Sequence, residues 1–467
     1  MTLVATSFVN LLRFHSFDTS HLLATTPEAE QGPLVLAGVL LSLVSIYFAA
    51  KFFGELCSRI NLPPVLGELV GGVVVGVSVL RLIIFPEGGG DESQSLIIGF
   101  LQTTAGLQPE SSLQVFDSLS EVLSVLSELG VIILLFEIGL ESDLKELIRV
   151  GPQAAVVAVV GVVVPFALGT AGLIAFFGTP TIPAVFAGAA LTATSIGITA
   201  KVLAEIQQLN SKEGQIIIGA AVLDDVLGIV VLAVVASLAK TGEIDIANVL
   251  YLIAGAAIFL VGAIFLGRLL SPYFVNLIKQ MNTRGHLILS ALIFAFALSY
   301  IAAVIQLEAI LGAFAAGLIL AETEKAEELE EQIIPIADIL VPVFFVTVGA
   351  RTDLSVLNPI DPANRSGLIM AAFLVVIAIV GKLVTGFTVF GKEKVNRVAI
   401  GVGMIPRGEV GLVFAGVGSA SGVLSESLEA AIIVMVIMTT FLAPPFLRVA
   451  FRPDDSEEAL AEKSSTP

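Results

Sequence analysis

Apolar residues run along this chain in long blocks, not in the alternation that half-buried strands would give. A helix rises about 1.5 Å per residue, and a bilayer core is about 30 Å thick, so blocks near 20 residues can cross it. Such blocks lie at 34–55, 64–80, 119–140, 154–177, 182–203, 216–238, 249–270, 286–305, 309–322, 333–348, 368–390, 398–420 and 428–450. The pattern therefore predicts about thirteen transmembrane helices (spans 1–13). Most connections are short. The exception is 81–117, which carries GGGDES and an acidic, partly amphipathic stretch. Residues 1–32 lack a basic start and a clear small-residue cleavage site, so they do not read as a standard signal peptide. Their opening MTLVATSFVNLLRF reads as an amphipathic helix lying in the interface.

Composition sharpens this to an all-α polytopic membrane protein. Hydrophobic residues make up 56% of the 467, and only 14% are charged, against about 25% in a soluble domain. Mean hydropathy is +0.99. These values exclude a soluble globule, a disordered chain, a collagen and a disulfide scaffold. The net charge of −18 argues against nucleic acid as a partner. The single cysteine, Cys57, is read as packing.

Lysine and arginine orient the chain. The loops after spans 1, 3, 5, 7, 9 and 11 and the C-terminal tail, counted with the span ends that border them, hold sixteen of the 23, and the other face holds five. The positive-inside rule then puts the C-terminus in the cytoplasm and the N-terminus in the periplasm or a lumen. The two left over, Lys382 and Arg407, fall inside spans.

The halves repeat. Ile60-Asn-Leu-Pro-Pro-Val-Leu-Gly67 leads into span 2, and Ile305-Gln-Leu-Glu-Ala-Ile-Leu-Gly312 into span 9. Phe136-Glu-Ile-Gly-Leu-Glu-Ser-Asp-Leu144 closes span 3, and Val346-Thr-Val-Gly-Ala-Arg-Thr-Asp-Leu354 closes span 10. Seven spans separate each pair. An odd separation turns the second copy over, which predicts inverted-topology repeats, an arrangement typical of secondary transporters.

An ionisable side chain at bilayer depth costs about 2.5–3.5 kcal/mol on insertion scales, and its presence there points to function. Asp224 and Asp225 are adjacent in span 6. Asp224 follows Ile216 by eight residues, so it sits about 12 Å into the span. Two neighbouring carboxylates in low dielectric resist joint ionisation, so they can take up either a proton or a hard cation. The plainer alternative is a diacid that only pairs with a buried lysine. Lys382, deep in span 11, is that lysine, and their pair reads as functional or as purely structural.

Two spans read as broken. Span 5 carries Thr192, Thr194, Ser195, Gly197 and Thr199, and span 12 carries Met-Ile-Pro406-Arg407-Gly408-Glu409. Hydroxyls and freed carbonyls at such breaks can hold a cation, although Ser and Thr also often bond only the preceding turn. Arg407 and Glu409 are read as scaffold for the crossing. Glu68 is read as bracing a helix, and Glu137 as paired with Arg407 or reaching water.

AAVLDDVLG around Asp224-Asp225, TATSIGITAKVL, Gly381-Lys382 and GMIPRGEVGL together resemble the cation/proton antiporter-2 family. They are most similar to NapA-like Na⁺/H⁺ antiporters, and the N-terminus and acidic loop resemble the thylakoid type of cyanobacteria. The resemblance covers about residues 36–452. It implies an NhaA/NapA-like fold with two broken crossing helices, and a homodimer working by an elevator movement. Within 33–450 it implies a dimerisation scaffold of spans 1–3 and 8–10 and an ion-translocating core of spans 4–6 and 11–13, with 451–467 a cytoplasmic tail. Asp225 would be the principal Na⁺ and H⁺ ligand, and Asp224 would pair with Lys382 without Na⁺. Thr194 and Ser195 would add oxygens to Na⁺. Such a site is associated with electrogenic exchange. Glu137 departs from the pattern, which expects an apolar residue there.

The implied activity is Na⁺/H⁺ exchange in pH homeostasis, in a plasma or thylakoid membrane, with no cofactor beyond the transported ions. The alternative is K⁺/H⁺ exchange or K⁺ efflux. KefC-like K⁺ systems carry a nucleotide-binding domain, and no G-x-G-x-x-G occurs in the 17 residues after span 13. An intramembrane protease is not expected: aspartyl types need aspartates on separate helices, and the one span histidine, His286, opens its helix.

Overall fold

The computed structural model describes residues 27–86, 90–241, 245–281, 283–358, 362–391 and 394–452. The interfacial helix predicted over the first fourteen residues, and all but the start of the tail, lie outside the described residues.

Among the described residues every regular element is helical. In chain order they are α1 (Pro27–Arg59), α2 (Pro64–Val75), α3 (Leu96–Thr104), α4 (Ser112–Glu141), α5 (Leu144–Phe177), α6 (Thr181–Ala190), α7 (Ile196–Glu205) and α8 (Lys212–Thr241). They continue with α9 (Ile246–Lys279), α10 (His286–Val304), α11 (Ala309–Ala321), α12 (Ala326–Ala350), α13 (Pro362–Gly386), α14 (Arg397–Gly403), α15 (Glu409–Ala420) and α16 (Glu426–Ala450). Nine of these described helices are long and apolar enough to cross a membrane; α2, α6, α11 and the 410–419 part of α15 are shorter apolar helices. Spans 5 and 12 each fall on a pair of short helices, α6–α7 and α14–α15, with unwound backbone between them. Nothing in the apolar pattern gave α3, or α4's start seven residues before span 3.

Local chemistry sets many boundaries. Asp143 caps α5 by accepting from the N–H groups of Lys145 and Glu146, and Gly178, at φ 62°, closes it. Asn61 and Gln306 end α1 and α10 in the same left-handed turn, at φ 57° and 65°. The hydrogen bonds match as well: Leu62 N–H donates to Cys57 O and Leu307 N–H to Ala302 O, each at 2.9 Å.

The chain divides into two compact units. The first comprises 1–53, 68–128 and 342–353, and the second 54–67, 129–341 and 354–467. In the first, Ile46, Ala49 and Ala50 of α1 pack with Ile83–Phe85, with Ile97, Ile98 and Leu101 of α3, with Val115, Phe116 and Leu119, and with Val343, Val346 and Ala350. The predicted connection 81–117 is therefore partly core. Its Phe85 ring lies 4.4 Å below the Arg351 guanidinium, which also donates to Ser124 Oγ at 2.6 Å. Gly72 meets Gly349 in this unit, and a methyl on Gly72 would strike Val346 O.

In the second unit, α6, α13, α15 and α16 share an apolar core around Phe186, Leu374, Phe414 and Met435, which Leu173 of α5 and Val235 of α8 complete. Gly317 meets Gly139 here, and a methyl on Gly317 would strike Phe136 O.

Candidate functional site

The site builds up where α6–α7 and α14–α15 interrupt their helices, within the second unit. α6 stops after Ala190, and the Thr192 hydroxyl bonds back to Ala189 O at 2.7 Å, competing with the helical ladder. α14 stops at Gly403, three residues before Pro406, which has no N–H to donate. The freed groups then satisfy one another. Ser195 N–H donates to Pro406 O at 2.8 Å, Thr194 Oγ1 to Met404 O at 3.2 Å and Thr199 Oγ1 to Gly403 O at 2.9 Å. Each unwound stretch thus completes the other's bonding, which buried backbone requires.

Helix C-termini carry partial negative charge. Two cations answer the pair that ends here. Arg407 donates from Nη1 to Ile405 O at 2.7 Å and from Nη2 to Leu191 O, the C-cap of α6. Lys382 donates to Thr192 O at 2.7 Å. Both side chains are 0% exposed. The Thr440 hydroxyl of α16 donates to Arg407 O.

Lys382 also forms an ion pair with Asp224, Nζ to Oδ2 at 3.1 Å, with both side chains fully buried. Gly161 of α5 makes room for it, since a Cβ there would come within 3.2 Å of Nζ. A buried ion pair recovers its desolvation cost only with good geometry and further hydrogen bonds, and the Thr192 carbonyl supplies one. Asp225 is 4% exposed, one residue further along α8. Thr194 and Ser195 are buried at the break. Ser195 Oγ and Asp224 Oδ1 are buried and take part in no hydrogen bond with a described residue, so their lone pairs remain for a ligand. Lys382 thus joins the Asp224 carboxylate to the Thr192 carbonyl at this crossing, and oxygens of these kinds are chemically able to take up an alkali cation or a proton.

The other predicted residues fall as follows. Glu137 and Glu141 on α4 stand within electrostatic range of Lys201 on α7 and of Glu330 on α12, and Glu137 also feels Asp338. Lys201 is thus the cation that Glu137 senses, where the sequence suggested Arg407 or water. Glu68 is half-buried on α2, in the first unit. Glu409 opens α15, and its side chain lies outside the described residues. A cavity of about 970 Å³ is lined by Leu140–Glu146, Asn210, Ala321 and Glu322, which puts four carboxylates beside one lysine. Sequence reasoning missed the Leu191 and Thr192 carbonyls, Thr440 and Gly161. Only Gly161 leaves a signal, a small residue facing a charged one.

The chain matches the family described as "Sodium/hydrogen exchanger, transmembrane" over residues 35–452. It is 69% identical to the "High-affinity Na(+)/H(+) antiporter NhaS3" of Synechocystis sp., over 95% of this chain and 96% of that one. It is 32% identical to the "Na(+)/H(+)-K(+) antiporter GerN" of Bacillus cereus, over 88% and 95%. The solved structure of the sodium proton antiporter MjNhaP1 from Methanocaldococcus jannaschii matches in fold, with a TM-score of 0.58 at 15% identity, over 90% of this chain and 99% of that one. The protein is a multi-pass membrane protein of the sodium/hydrogen exchanger family, whose members are secondary transporters and not enzymes.

Proposed function

We propose that this chain exchanges Na⁺ for H⁺ at Asp225 and Asp224, the two ions competing for the same carboxylates. The observation that carries this reading is the Asp224–Lys382 pair, set at the crossing of two unwound stretches. Asp225, Thr194 and Ser195 give oxygens to Na⁺. Na⁺ arrival draws Asp224 from Lys382, and the displaced ammonium gives up its proton with the one Asp225 held. More protons than cations then move per cycle, so exchange is electrogenic. Arg407 holds the C-terminal carbonyls in place meanwhile. Glu409 and Glu68 support the fold, and Glu137 tunes pH dependence.

The same reading makes the chain thirteen helices in two inverted copies. A shift of 245 carries Leu69, Gly72 and Val73 onto Phe314, Gly317 and Leu318, and one of 210 carries Phe136, Gly139 and Leu140 onto Val346, Gly349 and Ala350. Gly72 and Gly349 neighbour the backbone of equivalent residues to those that Gly317 and Gly139 neighbour in the other copy, which supports the repeat. Spans 4–6 and 11–13 then move as an elevator core against a scaffold of spans 1–3 and 8–10, in a homodimer. The C-terminus is cytoplasmic and the N-terminus periplasmic or lumenal, in the plasma or thylakoid membrane.

The test is dissipation of a pH gradient in proteoliposomes by Na⁺, Li⁺ and K⁺ in turn, beside Asp225→Asn. Na⁺-driven dissipation absent from Asp225→Asn supports the proposal, and equal rates in the two proteins refute it. A response to K⁺ would favour the second reading, K⁺/H⁺ exchange, which the name of the Bacillus cereus relative brings in.

A further inference from the structure

Helix α7 connects two places. Its N-cap is Ser195, at the ion site, and its last residue is Glu205, ten residues and about 15 Å away. Lys201 and Glu205 lie four apart, so they share one face. Glu205 reaches α2: its Oε1 and Oε2 lie 3.2 and 3.5 Å from Val65 N. Pro64 has no N–H, so Val65 offers the first donor of that helix, at its positive end. Lys201 meanwhile lies within electrostatic range of Glu137 and Glu141 of α4. The C-terminal end of α7 thus engages a helix of the proposed scaffold through Glu205, with Lys201 on the same face. The counterpart helix α15 carries no acidic residue after Glu409, so it has no equivalent of the Glu205 contact.

We propose that the end of α7 is a one-sided latch, in which Glu205 on the N-terminus of α2, aided by the longer-range attraction of Lys201 to the α4 carboxylates, holds the core to the scaffold in one access state and releases in each cycle. This rests on the elevator reading above. A rigid ten-residue helix carries the pull of an ion at Ser195 to the latch at Glu205. Because only one face has the latch, the two access states differ in stability, and so do the apparent Na⁺ affinities seen from the two sides.

Two measurements separate the latch from the elevator. The first pairs Val65→Cys with Glu205→Cys in a Cys57→Ser background and joins them with a short bifunctional thiol reagent in proteoliposomes. Na⁺-driven proton movement should fall at least about tenfold and return on reduction. Full transport by cross-linked protein would overturn latch and elevator together. The second compares Na⁺ KM from each face, in right-side-out and inside-out vesicles. A hydrogen bond to a charged acceptor is worth about one power of ten in an equilibrium. Glu205→Ala should therefore shift the ratio of the two KM values about tenfold, with Glu205→Gln, which keeps an acceptor, in between. If the cross-link blocks transport but both variants keep the wild-type ratio, losing only maximal rate, the elevator stands and the latch is overturned.

Discussion

Gly72 lies against Gly349 with no side chain between them, and a Cβ on either would run into the other's backbone. Gly317 and Gly139 meet the same way. Small residues permit such close helix approach, and in lipid that packing replaces the hydrophobic drive between helices. Overpacking a fitted contact costs about 1–3 kcal/mol, and backbone atoms cannot swing aside. Gly72→Val and Gly317→Val should therefore each lower the melting temperature of the detergent-solubilised protein by several degrees, and by similar amounts. Gly99, whose Cβ would meet nothing within 4 Å, is the control. A Gly317→Val protein that melts with the wild type would contradict the close crossing.

Competition at one carboxylate site has a definite pH signature. Proton and Na⁺ binding are linked, so each weakens the other by the same factor. Apparent Na⁺ KM should rise about tenfold per unit fall in pH for each proton that Na⁺ must expel, approaching about a hundredfold where Asp225 and Lys382 are both protonated, while maximal rate stays level. A pH-sensitive dye should also record protons leaving the detergent-solubilised protein when Na⁺ is added. An unchanged KM across that range, or Na⁺ binding without proton release, would rule out a shared site.

Much of the site was legible in the chain because membranes penalise charge. Asp224, Lys382 and Arg407 stood out in apolar blocks, and each is fully buried. The interruptions were legible from Thr192 and Pro406, through hydroxyl competition and a missing donor. What each cation binds was not. Leu191 and Thr192 contribute carbonyls, which every residue carries, so no residue type marks them. The contact between Val65 and Glu205 joins positions 140 apart and obeys no local period. The docking of 81–117 was hidden because its apolar residues fall in runs too short to be read as helices.

Removing one partner of a buried ion pair strands the other, at about 3–5 kcal/mol. Lys382→Ala leaves Asp224 without its cation and the Thr192 carbonyl without its donor. That variant should melt lower than the wild type, and Asp224→Asn in the same chain should recover part of the loss. Its transport should also lose voltage sensitivity, since the ammonium no longer contributes a proton. Current measured at clamped potentials on solid-supported membranes decides the matter: a voltage response equal to wild type would remove Lys382 from the proton count.

Arg407 separates holding the crossing from carrying ions. Its guanidinium spans two carbonyls from different elements, Ile405 O and Leu191 O, and a planar fork does this where a single ammonium cannot. Arg407→Lys keeps the charge and loses one of the two bonds. Hydrogen bonds to charged donors are worth about 1.5–3 kcal/mol, so the variant should lose several degrees of melting temperature. The ion ligands are untouched, so the Na⁺ KM of the protein that remains folded should stay within about twofold of wild type, a shift of under 0.5 kcal/mol. Arg407→Gln also removes the charge that faces the C-terminus of α6, and should destabilise further. Melting curves with and without Na⁺ then discriminate. If Arg407 only holds the breaks, Na⁺ raises the melting temperature of Arg407→Lys as much as that of the wild type. If Na⁺ no longer stabilises Arg407→Lys, the guanidinium takes part in binding the ion, and its assignment to the scaffold is wrong.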